Sequence, residues 1–81
     1  MSPTPAPVLR RLGAVVRARR RSLGLSQERL AERAGLHVNY VGGIERGERN
    51  LGFLNLVRLA ESLDLRMSDL MVRFETEPGD S

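Results

Sequence analysis

Apolar side chains recur along this 81-residue chain at three- and four-residue intervals, with no sustained alternation, so the pattern predicts helices and no strands. Leu9, Leu12, Val16 and Leu23 share one face of a helix expected over residues 8–23, which Gly24 ends. Leu30, Ala31 and Ala34 are the inward positions of a second, which Ser26 caps and Gly35 terminates with a left-handed turn. Winding a third helix from about His37 at 100° per residue places His37, Val41, Ile44 and Glu45 inward. Asn39, Gly43 and Arg46 then face away, with Val38, Tyr40 and Gly42 on the flanks. A fourth helix is expected over residues 53–63, with Gly52 as cap and Phe53, Leu56, Val57, Ala60 and Leu63 inward. A fifth, over residues 67–74, carries Met67, Leu70, Met71 and Phe74. The expectation is an all-α, compact five-helix bundle over residues 8–76, between a Pro-rich disordered lead (1–7) and a frayed acidic tail (77–81).

The second and third helices, LSQERLAERAG followed by LHVNYVGGIERGERN, are short, amphipathic and joined by a glycine turn. That is the layout of a helix-turn-helix, whose second helix presents its outward N-terminal turn to the major groove of DNA. Charge agrees with this use. The net charge is only +3, but residues 1–50 carry ten Arg against four Glu while residues 51–81 carry three Arg against six acids. A basic half that contains the motif and an acidic remainder suit a molecule with one phosphate-facing side.

Other chemistries are poorly served. With no Cys and a single His, neither a disulfide nor a zinc site is expected. No nucleophile–base arrangement or phosphate-binding glycine loop is present, since Gly42, Gly43 and Gly47 have the wrong spacing and context. No cofactor and no enzymatic activity are expected. The start of the chain lacks a signal-peptide pattern and no run approaches membrane-spanning length, so a soluble, cytoplasmic protein is expected.

At Leu25-Ser26-Gln27-Glu28, Ala31, Gly35 and Ile44-Glu45-x-Gly47 the sequence resembles the Cro/CI-type (Xre-like) regulators, of lambda-repressor-like fold. From Gly35 to Asn50 it is similar to the controller proteins of restriction–modification systems, which are small dimeric regulators. The resemblance implies a transcriptional regulator that binds double-stranded DNA as a homodimer. It assigns DNA contacts to Gln27, Val38, Asn39, Tyr40, Gly43, Arg46, Arg49 and Asn50. Asn39 stands at a base-reading position, where its amide suits adenine. Gln27 bonds a phosphate or a base edge, Arg46 and Arg49 face phosphates, and Asn50 does so or braces its own loop. Tyr40 either reaches phosphate through its hydroxyl or packs its ring over the motif. The resemblance also pairs Glu45 with Arg20 in a structural ion pair, not a catalytic one.

Departures from the family pattern narrow what it implies. Val38 replaces an Arg common in controller-like relatives, which exchanges a guanine contact for a thymine methyl. Gly43 offers no side chain to a base edge. Gly42 and Gly43 each cost about 0.8–1 kcal/mol relative to Ala inside a helix, so either something approaches closely there or the helix stays loose until bound. Arg29 breaks the capping box after Ser26, and His37 stands where Ser or Thr is usual. Arg19 falls on an inward phase, its stem expected to lie over the core. Met67, Leu70, Met71 and Phe74 are candidates for a two-fold interface, or else they close the core of one chain. The competing functional class is an antitoxin-like or adaptor protein that uses the fold to hold another protein, with the apolar fifth helix and acidic tail as its contact surface.

Overall fold

A computed structural model describes residues 5–78. Five helices follow one another: α1 (Pro5–Ser22), α2 (Gln27–Ala34), α3 (Val38–Glu45), α4 (Phe53–Ser62) and α5 (Met67–Thr76). No strand occurs among the described residues. The expected lead and tail lie largely outside them, and where they are described the lead differs: α1 already includes residues 5–7. Proline is tolerated there because the first-turn N–H groups have no intrahelical acceptor and its fixed φ suits a helix start.

Val15 and Val16 from α1, Leu30, Ala31 and Ala34 from α2, and Val41 and Ile44 from α3 meet Leu59 and Ala60 of α4, Leu63 that caps it, and Leu70 of α5 in one core. The phase of α4 differs from the expectation. Leu59 is fully buried, whereas Phe53 is 75% exposed and Leu56 and Val57 are only partly covered. The apolar stripe of α4 is wide enough to be read in either phase. α2 and α5 cover its Leu59–Ala60–Leu63 side, and the first turn projects past the core.

The first four helices close in the same way. The N–H groups of Leu25, Leu36, Glu48 and Leu65 donate to carbonyls five residues earlier, and those of Gly24, Gly35, Gly47 and Asp64 donate to carbonyls three residues earlier. This double bond pattern is the Schellman motif, and it demands a left-handed residue. Glycine supplies it at φ 71, 69 and 75. After α4 the position is Asp64, at φ 55, where an L side chain crowds its own backbone. Asp64 has one long ion pair, 3.5 Å to Arg33, with its side chain 64% exposed, so little is lost with the carboxylate. Asp64→Gly is therefore expected to stabilise the fold by about 0.5–1 kcal/mol. A thermal unfolding midpoint that fails to rise would refute this.

Candidate nucleic-acid interface

Two local caps set the geometry of the α2–α3 unit. Ser26 Oγ accepts the Arg29 backbone N–H at 3.0 Å, which fixes the start of α2. His37 Nδ1 accepts the Asn39 backbone N–H at 3.0 Å. His37 thus performs the service expected of Ser or Thr, from an exposed position and not from the inward one its helical phase suggested. As the cap it lies outside the helix proper, where the 100° winding does not apply. α3 then buries Val41, Ile44 and Glu45 and leaves Asn39 and Arg46 exposed.

α3 is held from behind by a polar cluster. The Glu45 side chain is fully buried, and four hydrogen bonds converge on it. Arg20 donates from Nε at 2.6 Å and from Nη2 at 3.0 Å. Gln27 Nε2 donates at 3.0 Å, and Arg17 Nε at 3.3 Å. Arg20 also donates through Nη1 to the Leu25 carbonyl at 2.8 Å, which ties the α1–α2 turn into the same cluster. Burial alone would push the Glu45 carboxyl up. The bonds from Arg20, Gln27 and Arg17, with the Arg20 charge, outweigh that and hold it below the ordinary carboxylate range. Arg20 is shifted further toward its charged form, chiefly by its bonds to Glu45.

The sequence reading had no signal for Arg17 or Gln27 as partners of Glu45, beyond the placement of Arg17 and Arg20 one turn apart on α1. One N–H of the Gln27 amide is committed to Glu45, so the amide keeps a second for a ligand. Tyr40 is half-buried against the core. Its hydroxyl accepts from Asn55 Nδ2 at 3.3 Å, which leaves its own O–H to donate outward. Val38 is half-buried; Arg49 and Asn50 are exposed. Arg46 Nε lies 3.1 Å from Glu48 Oε2, with both side chains more than half exposed.

Two expected site residues are placed otherwise. Gly43 was expected on the open outward face, but it is buried: a Cβ built there would lie 2.8 Å from Arg49 Cγ. Gly42 is likewise covered, with Arg46 Nη1 at 3.0 Å from such a Cβ. The close approach that two helical glycines call for is made by the chain's own arginines folding back over α3. Leu70, expected at a two-fold interface, has no exposed surface and belongs to the core. Met67, Met71 and Phe74 remain half-buried, and the Arg11 guanidinium lies 5.2 Å from the Phe74 ring centroid. Arg19 reaches the end of α4, its Nε donating to the Leu63 carbonyl at 2.9 Å. Phe53 and Leu54 are 75% and 62% exposed.

No group of three or more His, Cys, Asp or Glu placed to hold a metal occurs among the described residues, and no described helix is long and apolar enough to cross a membrane.

Comparison with known proteins gives this geometry its context. The helix-turn-helix family profile matches residues 16–70. The control protein C.SmaI of Serratia marcescens is 45% identical over 58 residues, 72% of this chain and 69% of that protein. Other relatives are matched over 52% and 58% of their own length. The restriction–modification controller C.AhdI of Aeromonas hydrophila has a crystal structure that superposes with a TM-score of 0.74 at 45% identity, covering 76% of this chain and 94% of that one. The controller C.Esp1396I, solved as a tetramer on its natural 35 base-pair operator, superposes with a TM-score of 0.82 at 28% identity over 86% of this chain and 92% of its own. Helix order, turn and sequence thus agree, and the chain belongs to the Xre-like helix-turn-helix family of DNA-binding transcriptional regulators.

Proposed function

We propose that the protein binds a duplex operator as a cytoplasmic homodimer and controls a restriction–modification system or a phage-type promoter. The observation that carries this reading is α3 itself: its outward N-terminal turn shows Asn39 to solvent, while its C-terminal end is clamped to α1 and α2 through Glu45. A reader held rigidly from behind loses little conformational entropy on entering a groove.

In this reading Asn39 pairs with an adenine and Val38 meets a thymine methyl. Gln27, Tyr40, Arg46, Arg49 and Asn50 flank that turn and face phosphates. The likeness to a controller that was crystallised on its operator supports the docking of α3. The two-fold partner is proposed to cover Phe53 and Leu54 with Met67, Met71 and Phe74. These supply apolar surface that a single chain leaves uncovered. Two copies of α3 would then enter successive major grooves about 34 Å apart.

Selection of bound duplexes from a random library at near-physiological salt tests the reading. An enriched inverted repeat is the expected result, and no enrichment by folded protein would shift the reading to the antitoxin-like alternative. On the enriched duplex, Asn39→Ala is expected to cost about 1–3 kcal/mol and to relax the preference at one adenine in each half-site. Uniform weakening on all sequences would instead make Asn39 a phosphate contact.

A further inference from the structure

α1 carries six arginines and no acidic residue, and they fall on different faces of the helix. Arg11 lies over the Phe74 ring, Arg19 is bonded to the end of α4, and Arg20 is locked to Glu45. Arg10, Arg17 and Arg21 stand on a different stripe, seven and four residues apart. Together with Arg46 from the end of α3 they line a groove floored by Ala14 and Ala18. Among the described residues that line the groove the carboxylate is Glu45, whose side chain is fully buried and already bonded to Arg20, Gln27 and Arg17, while Arg46 pairs with the exposed Glu48 at 3.1 Å. Arg17 keeps 42% of its side chain exposed and Arg46 keeps 54%.

Arg17 and Arg21 are like charges one helical turn apart, an arrangement that opposes folding of the free protein. Basic residues at a helix C-terminus complement the helix dipole, which accounts in part for Arg21 on α1 and Arg46 at the end of α3 but not for Arg17.

We infer that this groove is a second phosphate-binding surface, one that seats the operator backbone beyond the stretch contacted by α3. The inference rests on the DNA-binding reading and extends it to a face of α1. Continuity argues for nucleic acid as the occupant. Asn39 and Arg46 are seven residues apart and share one face of α3, so a sugar–phosphate strand that passes Arg46 arrives next at Arg17 and Arg21. The alanine floor removes side-chain bulk where that strand would run. Glu45 links the two surfaces physically, since it bonds Gln27 on one side and Arg17 on the other.

The test measures affinity of the full chain against salt concentration on two probes, the duplex enriched by selection and a random-sequence duplex of equal length. Each phosphate contact contributes about 0.9 to the slope of log K against log salt. Arg21→Gln, which leaves the partners of Glu45 intact, is expected to lower the slope by about 0.9, and Arg17→Gln with Arg21→Gln by about 1.8. Binding of both probes should weaken together, about ten-fold for the double variant at physiological salt. Replacing both residues by Lys should keep the slope. An unchanged slope in folded Arg21→Gln protein would overturn the inference, and so would arginine variants impaired only in holding an acidic protein. If no sequence is enriched, specific readout fails, but the slope on random duplex still decides the groove. Wild-type protein that binds no duplex at all overturns both.

Discussion

Replacing Glu45 with Gln is expected to destabilise the fold by about 3–5 kcal/mol, because it leaves the largely buried Arg20 guanidinium beside a neutral group. Among the described residues the carboxylate is the anion buried at the junction of three helices. Its two oxygens accept three hydrogen bonds from α1 and one from α2. An amide keeps one acceptor, brings a donor against guanidinium N–H groups, and cancels no charge. A domain of this size has only a few kcal/mol in reserve, so much of the variant population should be unfolded at ambient temperature.

Acid provides an independent readout of the same group. The folded-state pKa of Glu45 lies below its ordinary value of 4.5. Its contribution to stability is therefore complete above pH 4.5 and is lost as pH falls from there through the lower folded-state value. Urea unfolding of the wild type should lose stability across that window, and the Gln variant should lose less. Parallel acid profiles, or a loss at neutral pH below about 1 kcal/mol, would show that the cluster is not the clamp described. In a double-mutant cycle, Arg20 and Glu45 should show coupling at the upper end of the roughly 0.5–3 kcal/mol found for contacting pairs.

The second large effect is expected at Gly13, which has no counterpart in any periodicity or motif of the sequence. It marks the place where α1 crosses the end of α3. A Cβ added there would stand 2.5 Å from the carbonyl oxygens of both Ile44 and Glu45. Backbone atoms of a packed helix cannot swing aside, so Gly13→Ala must push the two helices apart. The cost should reach about 3 kcal/mol, the upper end for one extra methyl in a packed region, despite the better helix propensity of Ala. Because Arg17 and Arg20 sit one and two turns further along α1, the displacement should also loosen their hold on Glu45 and weaken DNA binding. Gly43→Ala is the informative comparison. The atom it would crowd belongs to the flexible stem of Arg49, which can move, so its effect on stability should be small. Equal effects at the two glycines would argue against a rigid crossing of α1 and α3.

Short-range physics accounts for the features that are legible in local sequence. Ser26 and Gly35 bound α2 because a hydroxyl acceptor and a left-handed turn act within three or four residues. Leu30, Ala31, Ala34, Val41 and Ile44 are buried because a fixed 100° winding puts them on one side of two short helices. The all-α class, the order of helices and the helix-turn-helix follow from the same rules.

Tertiary packing decided the rest. The stripe on α4 admits two phases, and contact with α2 and α5 selected Leu59 over Phe53. Leu70 and Met71 are adjacent on one apolar helix, yet only the distance to the core separates a fully buried leucine from a half-buried methionine. Gly43 looks outward by phase and is covered because the chain after α3 turns back and lays Arg49 across it. Arg17 and Gln27 join Glu45 across 28 and 18 residues of sequence. Local pattern carries no record of such separations, because the energy of a buried charge depends on what three helices bring to it together.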